Sequence, residues 1–120
     1  MKIYESIENS AAVVRLEGKM MGGPETQKLY ERIKFFQSVG IRNMVINLDT
    51  LDWLNSAGLG ILIASLMAVR KSGGELVLAH VKGKAAEVIC MTHLNKLFRS
   101  YASIDEAFLA LEHLSNQANQ

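Results

Sequence analysis

Met44-Val45-Ile46-Asn47-Leu48, then Leu54-Asn55-Ser56-Ala57-Gly58-Leu59-Gly60, then the apolar run from Ile61 to Val69, decide the fold. The first of these is apolar nearly throughout, as a strand covered on both faces is. The last has the length and composition of a buried helix. Between them stands a polar, glycine-containing turn with a hydroxyl, Ser56, at the entry to the helix. A hydroxyl at that point can cap the helix by accepting a backbone N–H. It can also carry an added anion, because helix-start amides and the positive dipole end favour negative charge.

Reading outward, Ile3 to Ile7 alternates apolar and polar residues, Asn9-Ser10 signals a turn, and Ala12 to Leu16 resumes β-like composition, so an opening hairpin is expected. Gly18 to Pro24 reads as a loop, with Pro24 suited to a first helical turn. Leu29, Ile33 and Phe36 give one apolar face to a helix that stops near Gly40. After Ser56 a helix is expected over residues 57–72, with Leu59, Leu62, Ile63, Leu66 and Met67 as its buried stripe and Gly73-Gly74 at its end. Glu75 to Ala79 reads as a strand, Lys84 to Thr92 as a short helix carrying Val88, Ile89 and Met91, and Leu97 to Tyr101 as a short strand near an edge. Ser103 followed by Glu106 is a capping-box pattern opening a last helix through Ala107, Phe108, Leu111 and Leu114. The polar residues 115–120 are expected to fray. Strands alternating with helices behind an opening hairpin imply a mainly parallel or mixed sheet.

Composition excludes several classes. With 120 residues, 49% hydrophobic and 21% charged, the chain is one globular domain. Thirteen Lys and Arg against twelve Asp and Glu give a formal charge of +1, and the basic residues are scattered, so neither nucleic acid nor an anionic membrane has an electrostatic footprint. The single cysteine, Cys90, forms no internal disulfide and reads as a buried small hydrophobe among Val88, Ile89 and Met91. The N-terminus shows no secretory pattern, and the longest apolar stretch, interrupted by Ser65, falls short of the roughly 20 residues a bilayer demands, so no membrane insertion and a cytoplasmic location are expected.

The chemical motifs are mostly incomplete. Gly58-Leu59-Gly60 begins like a dinucleotide fingerprint, but Ile63 stands where the third glycine belongs and the position in the strand order is wrong. A nucleophile elbow needs glycine two residues either side of the serine; Gly58 satisfies one side and Leu54 fails the other. His80, with Asp49 or Asp52, is the candidate partner for a hydrolytic triad, though a histidine ending a strand is more often a surface residue. The three histidines, His80, His93 and His113, share no helical face, so no metal site is expected. Trp53, just before the turn, suits either packing beneath the loop or an interface. Met20-Met21-Gly22-Gly23 should reach the same end of the sheet as Ser56, and two adjacent methionines in a glycine loop suit an adaptable protein contact, although either one singly suits a core plug.

In order along the chain, Leu16-Glu17-Gly18-Lys19-Met20, Asn47-Leu48-Asp49, Asn55-Ser56-Ala57-Gly58-Leu59-Gly60, Arg70-Lys71-Ser72-Gly73-Gly74-Glu75-Leu76, Leu94-Asn95-Lys96-Leu97-Phe98 and Ser103-Ile104-Asp105-Glu106-Ala107 together resemble the STAS domain family, and within it the bacterial anti-sigma factor antagonists. The resemblance implies an α/β fold: one STAS-like domain over residues 1–114, a mixed, mostly parallel sheet of four or five strands backed by about four α-helices, with 115–120 as tail. It implies a non-enzymatic, cofactor-free regulator of transcription that works by partner switching. Its partner would be an anti-sigma factor with a GHKL-type serine kinase domain, which phosphorylates Ser56 and so releases the antagonist; a metal-dependent serine phosphatase would reverse this. The implied contact set is Met20, Met21, Gly22, Asn55, Ser56, Ala57, Gly58 and Leu59. Two departures from the family pattern remove negative charge: Asn55 and Met21 stand where the family commonly has aspartate. They leave open a second function, a STAS subunit of a transport or stress-signalling assembly that is not phosphorylated. A small serine hydrolase is a third.

Overall fold

The computed structural model describes the backbone of residues 1–118 and the side chains of residues 1–114. The elements run β1 (Lys2–Glu8), β2 (Ala11–Met20), α1 (Gly23–Ser38), β3 (Asn43–Leu54), α2 (Ser56–Lys71), β4 (Leu76–Ala79), α3 (Gly83–Met91), a short 3-10 turn (Leu94–Lys96), β5 (Ser100–Tyr101) and α4 (Ile104–Ala118). The five strands form one sheet in sequence order, with β1 antiparallel to β2 and every later pairing parallel. The β1–β2 hairpin turns through Asn9 and Ser10, both at positive φ, the signature of a tight turn matched to strand twist.

A sheet laid down in one direction by right-handed crossovers puts its connecting helices on one face. Accordingly α1, α2 and α3 share a core with the inward residues of β2, β3 and β4, including Leu16, Met20, Leu29, Ile33, Ile46, Leu62, Leu66, Leu78 and Ile89. The chain then crosses back. On the other face α4 covers Ala11, Val13, Val45, Val77 and Ala79 with Ala107 and Leu111. Ser103 caps α4: the Glu106 N–H donates to Ser103 Oγ at 3.1 Å, and the Glu106 carboxylate reaches back one residue past the cap to accept from the Ala102 N–H at 3.0 Å.

Several boundaries differ from the sequence expectation. β2 continues through Gly18 to Met20, so the loop expected from Gly18 shrinks to Met21 and Gly22. β3 is twelve residues long and not five; register shifts at two places along the β2–β3 pairing bring Leu51 and Leu54 into the core despite the intervening Asp49 and Asp52. At the first shift Thr50 Oγ1 donates to the Leu16 carbonyl at 2.8 Å and accepts from Arg15 at 3.2 Å, bridging the break in the ladder. In α2, Met67 is 43% exposed and Ile63 half-buried, while Ser65 and Val69 are buried in their stead; the Ser65 hydroxyl is satisfied by the Ile61 carbonyl at 2.8 Å. Met91 is 72% exposed and Cys90 is exposed; Ala85 and Ile89 are the residues of α3 that reach the core. The strand expected over Leu97–Tyr101 is reduced to Ser100–Tyr101, because Leu97 and Phe98 close the 3-10 turn onto the Leu94 carbonyl and Phe98 is drawn into the core. The helical backbone of α4 runs on through Ala118, and the last two residues of the expected tail lie outside the described residues.

Candidate functional site

The site is built where the ends of β2 and β3 meet the starts of α1 and α2. Sequence leaves the helix cap open to Ser56, but the structure gives it to Asn55. Asn55 has extended backbone, its Oδ1 accepts from the Gly58 N–H at 2.8 Å, and its carbonyl accepts from the Leu59 N–H at 2.9 Å. That is the geometry of an N-cap. Ser56 is therefore the first residue inside α2, exposed, and its side chain is not consumed by capping. The amides of a first helical turn lack intrahelical carbonyl partners, so the neighbourhood of the Ser56 hydroxyl favours an anion.

Asn55 also ties two loops together. Its N–H donates to the Met20 carbonyl at 3.2 Å and its Nδ2 donates to the Met21 carbonyl at 3.1 Å. The second bond needs an amide; a carboxylate has no proton to give. Two close backbone approaches lock the same joint. Gly58 lies so tightly on the Met20 carbonyl that a Cβ there would overlap it, and a Cβ on Gly22 (φ 87°) would stand 2.8 Å from that of Ala57. Gly22 is thus required both by its left-handed backbone and by the space that Ala57 leaves. The Gly22 N–H then donates to the buried Thr26 hydroxyl at 3.0 Å, opening α1.

The structure brings the expected contact residues together but divides their roles. Met21 (52% exposed), Ser56 and Ala57 lie on the rim, and Gly22 and Asn55 are partly exposed behind them. Met20, Gly58 and Leu59 are buried. Met20 is fully enclosed in the core, so of the two methionines only Met21 faces solvent; Met20 contributes its carbonyl to the Asn55 clasp. Among the described residues no hydrogen bond joins Ser56 to a histidine or a carboxylate, and no group of three or more His, Cys, Asp or Glu could hold a metal. Asp49 instead pairs with Lys82 at 2.7 Å, and that ammonium holds its carboxyl below the usual carboxylate range, first by the hydrogen bond and then by charge.

Trp53, which sequence leaves open between packing and an interface, has a cationic partner that sequence reasoning missed. Trp53, 41% exposed, takes the Lys84 ammonium over its ring at 4.6 Å from the centroid, and Lys19 lies across from it in the β2–β3 register. The result is a half-exposed aromatic carrying one cation over its ring. No local pattern announces it, because Lys84 belongs to α3 and meets Trp53 only through the tertiary fold.

A mixed sheet with three helices on one face and one on the other, with an exposed serine at the start of α2, defines a fold of the α/β class. The chain belongs to the STAS domain family, whose model matches residues 2–107. Its fold is similar to that of the Thermotoga maritima protein TM1081 (19% identity, 92% of this chain and 94% of that one, TM-score 0.81). It is also similar to an anti-sigma factor antagonist from Mycobacterium paratuberculosis (23% identity, 92% and 93% covered, TM-score 0.80). A third similar structure is the Bacillus cell fate determinant SpoIIAA in its phosphorylated form (17% identity, 88% and 96% covered, TM-score 0.69). Among the described residues no helix is long and apolar enough to cross a membrane.

Proposed function

We propose that this protein is an anti-sigma factor antagonist: a partner-switching module that binds an anti-sigma factor carrying a GHKL-type serine kinase domain and is released when Ser56 is phosphorylated. The observation that carries this reading is the position of Ser56, exposed at the first residue of α2 with Asn55 already serving as the cap. A phosphoryl group adds roughly −1.5 to −2 charges at neutral pH. At a helix start the domain itself tolerates that charge, so its fold need not change. A partner whose surface is packed against Met21 and Ala57 would have to desolvate the same charge or meet it with its own. About 1.4 kcal/mol of such cost is tenfold in affinity, so a few kcal/mol suffice to exchange partners. The test is a calorimetric titration of the Ser56→Ala and Ser56→Asp variants against the GHKL-type anti-sigma factor of the same organism. Ser56→Ala should bind as the parent does and Ser56→Asp at least tenfold more weakly; equal affinities would remove the switch.

One observation favours a second reading. No carboxylate stands at Asn55 or Met21, and the Asn55 amide is committed to a structural clasp instead. A kinase that recognises acidic groups beside its serine would find none there. In that case the chain is a STAS subunit of a transport or stress-signalling assembly, and it would co-purify with an ATPase or membrane complex with Ser56 unmodified by intact-mass analysis.

A further inference from the structure

The two helical faces of the molecule carry complementary, unpartnered surfaces. Between α1 and α2 runs a groove lined by Tyr30, Lys34, Gln37, Ala64, Met67 and Lys71, and no acidic residue lines it. Gln37 ties the two helices together beneath it, donating through Nε2 to the Ala68 carbonyl (3.0 Å) and Ser72 Oγ (2.8 Å). Met67 leaves 43% of its surface exposed at the same place.

On the opposite face of the sheet, α4 presents Asp105, Leu109 and Glu112, with Asn9 and Ser10 of the hairpin turn beside them, and no basic residue lines that hollow. Leu109 is 66% exposed between the two acids. Asp105, Leu109 and Glu112 sit at i, i+4 and i+7, one stripe of the helix. Among the described residues none of Asp105, Glu112, Lys34 and Lys71 enters an ion pair.

We propose that the occupant of the α1–α2 groove is the outer face of α4 from a second copy of this chain. Leu109 seats against Met67 and Ala64, and Asp105 and Glu112 meet Lys34 and Lys71. Because the two surfaces lie on opposite faces of one molecule, the contact is heterologous and propagates head to tail. A formal net charge of +1 per chain puts up no general repulsion between copies. A single helix in a groove is a small interface, so the association is weak and reversible. Ala64, Met67 and Lys71 of the groove belong to α2, the helix that begins at Ser56, so chain formation and the Ser56 rim share one helix while the proposal stands independently of what binds that rim.

Sedimentation and light scattering of the purified full chain, over micromolar to sub-millimolar concentration, test this. The weight-average mass should rise with concentration, and the association constant should fall on the order of tenfold between low and high salt. The Lys34→Glu, Lys71→Glu pair and the Asp105→Lys, Glu112→Lys pair should each be monomeric, and mixing the two variants should restore association. All four residues are exposed or at the groove rim, and circular dichroism verifies that each variant is folded. A parent chain that stays monomeric throughout, or association that survives both charge reversals, or variants whose mixture does not associate, would each overturn the proposal.

Discussion

Replacing Asn55 separates the two jobs its side chain does. Asn55→Ala removes the cap on the Gly58 N–H, at a cost of about 1 kcal/mol, and the Nδ2 bond to the Met21 carbonyl, a further 0.5–1.5 kcal/mol or about the lower half of that range at a partly exposed site. The sum, about 2 kcal/mol, lowers the melting temperature of a domain this size by about 6–10 °C. Asn55→Asp behaves differently. Its carboxylate still accepts from Gly58 and gains about 0.3–1 kcal/mol from the helix dipole, but it turns an oxygen toward the Met21 carbonyl where the amide had donated. Gain and loss nearly cancel, so global stability should stay within about 0.5 kcal/mol of the parent. The local effect does not cancel: the loop at Met21–Gly22 loses its tether. The Gly22 N–H, which donates to Thr26 Oγ1 at 3.0 Å, should then exchange with solvent on the order of tenfold faster. Urea unfolding gives the first quantity and amide exchange by NMR the second. An Asn55→Ala variant as stable as the parent would refute the capping assignment, and a Gly22 amide unmoved in Asn55→Asp would refute the clasp.

Two further outcomes follow from the same rim. Gly58→Ala places a methyl against the Met20 carbonyl and should lower stability by at least about 2 kcal/mol in urea unfolding, because the backbone must shift; Gly60→Ala, two residues on with nothing within 4 Å of the added Cβ, should raise it by about 0.5–1 kcal/mol. The Asp49 carboxyl titrates below its ordinary range because Lys82 favours the ionised form. A carboxylate whose folded value is depressed adds stability that is present above the unfolded value and lost as pH falls through the folded one. An NMR carboxyl titration should therefore show Asp49 returning to the ordinary range in Lys82→Ala, and an unchanged titration would disprove the pairing.

How far the chain could be read from its sequence depended on whether a residue's partner was local. The β-β-α-β-α-β-α-β-α order follows from periodicity and punctuation that each element carries within itself, as does the Ser103–Glu106 cap. The extension of β3 to Leu54 does not, because Asp49 and Asp52 interrupt the apolar pattern and only pairing with β2, with its register shifts, restores it. Phe98 looked like strand because an aromatic suits a strand, yet it belongs to a turn that tertiary packing pulls inward. At the site the same division holds. That a polar turn starts α2 is local, whereas the choice of Asn55 over Ser56 as cap, and of Met20 over Met21 as core plug, is made by contacts thirty-odd residues apart in the chain: the separation between Asn55 and the Met21 carbonyl is 34. The cap on Gly58 and the bond to the Met21 carbonyl are two hydrogen bonds of one side chain, so Asn55 links the start of α2 to the Met21 loop. A substitution at position 55 therefore acts on the start of α2, where Ser56 stands, and on the Met21 loop together.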